Sequence, residues 1–364
     1  MAWQNKWRDG PREATPEEVE IVLEAHKAFK SGEDYESEYR LRADYDYKFA
    51  HGDTHNKYQW DSDLVLKREN EEKPILTINK VQQHNLLIIN DSKQNKSDIR
   101  VRPVSDEASF EGAQMYQELI YHIQYISSAE NVYDKAIEWQ VEAGKGYWKV
   151  ITKPIGPRTF DQEIYIVQVK KPNSIYMDYD TVEPDKSDAR WAIEFEDIDK
   201  ELFKKENPDF ADVGGTSVLG NSVSSGWITR DKIRQANYYK KEEKSEILVS
   251  FLDQSGERQE GFLSELTDEG KEYYKQVKKE PTSRERDVIT DNITIYKIAG
   301  DRIIKKTPWL GSTIPIVALP GVETVIDDVY DCCGHTRALI NAQQMYNYNC
   351  LALDTQLPTP TGWT

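Results

Sequence analysis

The spacing of apolar residues changes between helical and alternating along the chain, which predicts a mixed fold. Near the start, Thr15 can cap a helix, Pro16 suits its first turn, and Glu18 completes a capping box. A stripe of helical period follows, made by Val19, Val22, Leu23, His26 and Phe29. The Ser-Gly pair at residues 31–32 predicts a break, and a second helix is expected over residues 33–50.

The next part of the chain is predicted to be mostly helical. Residues 75–78 favour a short strand, a helix is expected over residues 79–90, and residues 98–103 alternate as a strand does. Residues 107–142 carry two stripes of helical period, with a joint at Ser127 and Ser128. The glycines at positions 144 and 146 predict the end of the second helix, because glycine is common just past a helix C-terminus.

Strands dominate the remainder. Alternating or apolar segments occur at residues 147–152, 163–170, 190–197, 234–241, 244–253, 288–299, 302–307 and 314–319. Helices are expected at residues 199–207, 267–279 and 336–348. The predicted fold class is therefore α+β, with a loop insert rich in glycine and serine at residues 211–226.

Composition narrows the classes of function. The 364-residue chain has a formal net charge of −17, and a protein that grips phosphates needs clustered Lys and Arg, so sequence-specific nucleic-acid binding is disfavoured. A channel wall that DNA slides past remains compatible, as does acidity that serves only solubility. No run of about 18 apolar residues occurs, so no membrane span is expected. The start of the chain lacks an apolar signal segment, which favours synthesis in the cytoplasm.

Few residues suggest chemistry. The adjacent Cys332 and Cys333 fit neither zinc-ligand spacing nor a good disulfide, so no disulfide framework is expected. His51, Asp53 and His55 can in principle ligate a metal, but further ligands are not evident in the sequence. Polar residues in a loop are the simpler interpretation, and neither a cofactor nor a metal is predicted.

An acidic cluster supports the main alternative function. Asp327, Asp328 and Asp331 lie near His335 in the sequence, and two-metal nucleases use such carboxylates. Acidic turns are far commoner, however, and no complete catalytic constellation is recognisable over residues 1–340. A metal-dependent nuclease, or another enzyme, using Asp327, Asp328 and His335 therefore stays the alternative to a non-enzymatic protein.

Several stretches, taken together and in order, resemble the portal proteins of short-tailed bacteriophages over roughly residues 40–348. They include residues 48–53 (KFAHGD), 75–80 (ILTINK), 99–104 (IRVRPV), 144–150 (GKGYWKV), 173–178 (NSIYMD), 187–191 (SDARW), 314–317 (IPIV) and 344–348 (QMYNY). The insert at 211–226 and the adjacent cysteines are not features of that family.

The resemblance implies a structural protein rather than an enzyme of the phage. Portal proteins form a homo-oligomeric ring, usually a dodecamer, at one vertex of the virion. The ring, a head–tail connector, nucleates capsid assembly with scaffold and capsid proteins and docks the large terminase subunit. It passes double-stranded DNA without sequence preference during packaging and ejection, and then binds a tail adaptor.

The last fifteen residues resemble the opening block of an intein. From Cys350 the chain reads CLALDTQLPTPTGWT, with a thiol, a short apolar stretch, Asp-Thr and a Pro/Thr/Gly turn. The resemblance implies that Cys350 is a splicing nucleophile that attacks the carbonyl of Asn349. The later splicing residues do not occur in this sequence, so it should not splice alone. The alternative is that Cys350 is an ordinary residue before a natural tail.

The sequence thus predicts a flexible start followed by three segments. Residues 1–14 are expected to be a flexible N-terminus, and residues 15–335 a portal wing-like α+β domain of helices and antiparallel strands. Residues 336–349 should begin a stem helix, and residues 350–364 should be the N-terminal part of an intein.

Overall fold

A computed structural model describes residues 15–52, 58–73, 75–96, 98–104, 109–210, 213, 226–252, 258–278, 283–327 and 329–356. The helices are α1 (Pro16–His51), α2 (Ser62–Asn70), α3 (Val81–Gln94), α4 (Phe110–Ser127), α5 (Ala129–Ala143), α6 (Lys200–Glu206), α7 (Asp268–Val277) and α8 (His335–Gln356). The strands are β1 (Lys145–Pro154), β2 (Gln162–Gln168), β3 (Ile175–Met177), β4 (Trp191–Asp199), β5 (Lys232–Leu252), β6 (Arg258–Phe262), β7 (Arg284–Ala299), β8 (Arg302–Trp309), β9 (Ile316–Pro320), β10 (Val322–Ile326) and β11 (Val329–Cys333). Helices and antiparallel sheets together confirm the α+β class.

The chain divides into two compact units, which are described separately. Unit 1 comprises Met1–Lys30, Tyr176–Val182 and Ser187–Ile314. Unit 2 comprises Ser31–Ile175, Glu183–Lys186 and Pro315–Thr364.

Unit 1 is built on an antiparallel sheet with strand order β3-β4-β5-β7-β8, and β6 pairs with β5. The N-terminal part of α1 packs on this sheet through Val22, Ala25 and Phe29, which meet Tyr238 and Ile298 in one buried cluster. Burying each such large apolar side chain contributes roughly 1.5–3 kcal/mol. A separate cluster forms between β5 and α7.

Unit 2 combines helices with a three-stranded antiparallel sheet of order β2-β1-β9 and the hairpin β10-β11. The C-terminal part of α1 contributes to two clusters, one with α5 and β11 and one with α3 and α8. A third cluster joins Trp60 and Val65 of the α2 region to Leu351 of α8.

Local sequence signals gave several element boundaries correctly. The capping box at α1 is confirmed, because the Thr15 backbone N–H donates to Glu18 at 2.8 Å and the Glu18 backbone N–H donates to Thr15 Oγ1 at 3.3 Å. Ser128, with φ of 48°, separates α4 from α5 as predicted. Gly144, with φ of 99°, ends α5, again as predicted.

The predicted break at residues 31–32 is wrong, because α1 runs unbroken through them. A glycine inside a helix costs only about 1 kcal/mol, and buried side chains on both sides of it, including Phe29 and Tyr39, offset that cost. The two predicted strands at 75–78 and 98–103 are also absent from the structure. At the second, the backbone of Ile99 and Val101 bonds to the Gln117 side-chain amide instead of a neighbouring strand.

Two further differences concern the end of the chain. The hairpin β10-β11, which pairs residues 322–326 with 329–333, was not predicted. The last helix, expected to stop before Cys350, continues through Gln356. Leu351, Ala352 and Leu353 are compatible with helix, and the first proline of this stretch stands only at position 358.

Some predictions fall on residues outside the described part of the chain. These are the flexible N-terminus at 1–14, most of the insert at 211–226, and residues 357–364. The segment bounds predicted from the sequence therefore stay predictions.

Candidate functional site

A buried group of charged side chains lies in unit 2 where α1 meets the start of β1. Lys145 Nζ lies 2.9 Å from Glu36 Oε1, and the Arg40 guanidinium binds Glu36 Oε2 at 2.7 and 2.9 Å. The Lys145 ammonium also lies 4.4 Å from the centroid of the Tyr39 ring and 4.9 Å from that of Tyr330. The positive charge is therefore held between one carboxylate and two aromatic faces.

The charges in this group stay fixed near neutral pH. Burial by itself raises the pKa of Glu36, but the charges of Lys145 and Arg40 outweigh burial and hold that pKa below its usual value. Burial by itself lowers the pKa of Lys145, but Glu36 reverses this and the net shift is upward. Burial also raises the pKa of Tyr147 to about 12. These groups do not exchange protons at pH 7, so their arrangement is suited to holding helix and sheet together rather than to acid–base catalysis.

The first turn of α8 is attached to α1 by charges. Arg337 binds the Asp46 carboxylate at 2.8 and 2.9 Å and also donates to the carbonyl of Arg42 at 3.0 Å. Arg42 in turn binds Asp331 of β11 at 3.1 Å. The first turn of α8 is thus fixed against α1 within unit 2.

The middle of α8 is held by buried side-chain amides. Asn347 donates to Gln59 Oε1 at 3.1 Å and accepts from Gln343 Nε2 at 2.8 Å. Gln59 donates to the carbonyl of Phe49 at 2.9 Å, and Gln343 donates to the carbonyl of Ile78 at 2.8 Å. A buried amide without a partner is costly, so this connected set favours one position of α8 over others.

Those residues of the nuclease hypothesis that the structure describes do not come together as a metal centre. Asp327 has φ of 50° in the turn of the hairpin β10-β11, Asp331 is engaged by Arg42, and His335 is the first residue of α8. Asp328 lies outside the described residues. Among the residues that the structure describes, these side chains are not within joint reach of one ion.

Of His51, Asp53 and His55, which were considered as metal ligands and interpreted as polar loop residues, the structure describes only His51. It is the last residue of α1, and its Nε2 lies 3.1 Å from Glu142 Oε2. Glu138, one turn before Glu142 on α5, faces the same position. Sequence reasoning missed both glutamates, although their spacing of four residues on a predicted helix places them on one face.

The three cysteines are free thiols in the structure. Cys332 is buried, and its Sγ lies 3.0 Å from the carbonyl oxygen of Gly144. Cys350 is half-buried within α8, between Asn349 and Leu351.

Helix α4 presents an unusual surface within unit 2. None of its residues is fully buried, although partly buried residues of the helix pack toward β2 and α5. Large apolar side chains are instead exposed around much of its circumference, namely Phe110, Met115, Tyr116, Leu119, Tyr121 and Tyr125. Exposed apolar surface of this extent is typical of protein–protein contact surfaces.

Comparison with known proteins defines the class. The chain matches the phage P22-like portal protein family over residues 26–354, and it therefore belongs to that family. It is also similar to the portal protein of Acyrthosiphon pisum secondary endosymbiont phage 1, with 24% identity over 311 residues. The aligned part covers 82% of this chain and 42% of that relative, so the chain spans less than half of the relative's length. None of the helices formed by the described residues is both long and apolar enough to cross a membrane.

Proposed function

We propose that this chain forms the outer part of a phage portal ring and contributes the beginning of the helix that leads toward the channel. Membership of the P22-like portal family over residues 26–354 is the observation that carries this proposal. In this role the protein works by assembly at one vertex of the virion. DNA, the large terminase subunit, scaffold and capsid proteins and the tail adaptor are its partners.

The structure supports this role through the position of α8. Ion pairs to Asp46 and buried amides around Asn347 fix the helix in unit 2. A stem helix in a ring must hold one direction in every copy, because small angular errors in a heterologous interface prevent closure. The net charge of −17 suits a channel that DNA passes without being held.

The exposed surface of α4 is the surface that we assign to contact with a neighbouring copy. The side chains of Met115 and Leu119 are 73% and 49% exposed, and contact between such apolar side chains and water is unfavourable. A second copy of the chain would remove this apolar area from water, which is a main driving force of association.

The assignment is tested on the full-length protein that carries these residues, by analytical ultracentrifugation. Wild-type protein should sediment as a ring. The double variant Met115→Glu, Leu119→Glu should dissociate at concentrations where the wild type is assembled. The matched control Met115→Leu, Leu119→Met keeps the apolar area and should assemble normally. Full assembly of the glutamate variant would show that α4 does not lie in the interface. A wild-type protein that is monomeric at every concentration would contradict the ring itself.

A second function is favoured by the sequence from Cys350 onward. We infer that residues 350–364 open an intein whose remainder is encoded downstream or on another chain. In the first step the Cys350 thiol attacks the carbonyl carbon of Asn349, the peptide bond to the Cys350 nitrogen breaks, and a thioester forms. The thiol proton passes to the freed amine, so atoms balance. In the structure this peptide lies inside α8, so the step requires the final turns to unwind when the intein folds.

This inference is tested by expressing the chain joined to the missing part of an intein and treating it with a small thiol. Cleavage between Asn349 and Cys350 should release a product that ends at Asn349, detected by mass spectrometry. The variant Cys350→Ala should give no such product, whereas Cys333→Ser should leave cleavage unchanged. Absence of both thioester and spliced product in the wild type would eliminate the inference, without bearing on the ring.

A further inference from the structure

The residues His51, Glu138 and Glu142 come together in unit 2 at the C-terminal ends of α1 and α5. One possible ligand atom from each lies within 4.8 Å of the other two. Zinc binds imidazole nitrogen and carboxylate oxygen at about 2.0–2.2 Å, so ligand atoms around one ion stand about 3.4 Å apart. The ligand atoms would have to approach one another by at most about 1.4 Å to reach this spacing.

The burial of Glu142 is a second, independent observation. Glu142 is 3% exposed, and its Oε2 faces His51 at 3.1 Å. Among the described residues, however, this oxygen receives no hydrogen bond of good geometry. Burying a carboxylate oxygen without a well-placed donor costs free energy, and a bound cation is one of the few groups that can offset this cost.

From this geometry we propose a site for a zinc-class divalent cation, bound by His51 Nε2 and by one carboxylate oxygen from each of Glu138 and Glu142. Imidazole together with carboxylates favours Zn²⁺ or Co²⁺ over Mg²⁺ and Ca²⁺, which prefer oxygen ligands alone. Three protein ligands leave a fourth position for water.

Neighbouring side chains shape the site. The Tyr47 ring lies edge-on to His51 with centroids 4.4 Å apart, which limits rotation of the imidazole. Lys135 Nζ binds Glu138 Oε1 at 2.5 Å, so it competes with a cation for one ligand. Lys135 is a flexible side chain that is 32% exposed, and it can turn toward solvent when a cation binds.

A cation at this position would connect two helices whose ends are far apart in sequence. The site joins the last residue of α1 to the last turn of α5, directly before Gly144 and β1. Binding only to the folded state stabilises that state, so zinc should raise the melting temperature of unit 2. All three ligands come from one copy of the chain, so binding does not require a ring.

The test is titration of the chelator-treated, full chain with ZnCl₂ by isothermal calorimetry, and with CoCl₂ by visible absorption. Wild-type protein should bind one ion per chain. Removing a group that only supports a metal ligand weakens metal affinity by about 10–100-fold. His51→Ala and Glu142→Gln remove ligands themselves, so each should weaken zinc affinity by at least that factor. His122→Ala is the matched control, because His122 faces Glu163 at 3.4 Å on an exposed surface, and no third ligand lies there among the described residues.

Glu138→Gln provides a variant that does not disturb a fully buried group, and it should weaken binding even if Glu142→Gln fails to fold. A wild type that binds no Zn²⁺ at micromolar concentration would overturn the proposal. The same holds if His51→Ala binds as tightly as the wild type, or if the cobalt complex shows thiolate charge-transfer absorption, which would place the ion on cysteine.

Discussion

Replacing Lys145 by Met should destabilise unit 2 strongly, because it removes one partner of a buried ion pair. Lys145 and Glu36 are only 9% and 12% exposed in their side chains, and their charged atoms lie 2.9 Å apart. At an effective dielectric constant of about 20, unit charges at this distance attract by about 6 kcal/mol. Relieving the desolvation of Lys145 offsets part of that loss.

The net loss follows from what remains after substitution. Glu36 keeps its bonds to Arg40 but stays buried with less compensating charge. The contacts of the Lys145 ammonium group with the rings of Tyr39 and Tyr330 are lost as well. Breaking a buried pair from one side costs about 3–5 kcal/mol, and the surviving Arg40 contact places the expected value near 3 kcal/mol. The double variant with Glu36→Gln should lose less than the sum of the single variants.

The assay is urea unfolding followed by tryptophan fluorescence, since Trp139 packs against the neighbouring cluster of unit 2. The control is Lys73→Met, because Lys73 faces Glu71 at the same 2.9 Å but in an exposed pair. That substitution should leave the midpoint unchanged within error. If Lys145→Met costs less than about 1 kcal/mol, the assignment of a stabilising buried pair to this group is wrong.

The same pair gives a pH dependence whose sign follows from its pKa shifts. The pKa of Glu36 is lower in the folded state than its unfolded value of 4.5. Ionised Glu36 therefore stabilises the fold fully above pH 4.5, and this stabilisation disappears as pH falls through the lower, folded pKa. The gap between wild type and Lys145→Met should therefore hold from about pH 5 to 8 and narrow in stronger acid. A gap that is independent of pH down to complete acid unfolding would contradict the electrostatic explanation.

Three further substitutions test other parts of the structure. Burial raises the pKa of Asp46 to about 6 in the folded state. Proton binding to Asp46 therefore adds fully to the free energy of unfolding only below about pH 4, and this addition is lost as pH rises through 6. Relative to Asp46→Asn, the wild type should lose about 1 kcal/mol of unfolding free energy between about pH 5 and 7. If urea unfolding gives the same pH dependence for both proteins, the expectation is wrong. Asn347→Ala should cost about 1–3 kcal/mol in calorimetry, because the buried Gln59 Oε1 loses its donor and Gln343 Nε2 loses one of its two acceptors, and an unchanged melting temperature would refute the network. Gly146→Ala should cost about 3 kcal/mol, since its Cβ would lie 1.9 Å from the Ala136 carbonyl oxygen, whereas Gly156→Ala meets nothing within 4 Å and should be neutral.

Elements with local signals were predictable from the sequence. The capping residues of α1, the joint at Ser128 and the glycine that ends α5 each act within a few residues, so sequence spacing reveals them. The long antiparallel ribbon of β5 and β7 was predicted only as shorter strands. Glu242 and Glu243 interrupt the apolar alternation there, although pairing continues through both.

The site geometry was not predictable in the same way, because its partners are distant in sequence. Glu36 and Lys145 are 109 positions apart, and Gln59 and Asn347 are 288 apart. Lys145 stands in a Gly-Lys-Gly sequence whose obvious meaning is a helix end, so nothing local indicates a buried charge. In the acidic stretch that was considered as a possible catalytic cluster, Asp327 instead lies in the turn and Asp331 in the second strand of the hairpin β10-β11.

Electron cryo-microscopy of the full-length protein that carries these residues tests the portal assignment most directly. We expect a closed, dodecameric ring around a central channel, with α4 between neighbouring copies and α8 directed toward the channel in each of them. Particles that remain single copies at high protein concentration would contradict the assignment.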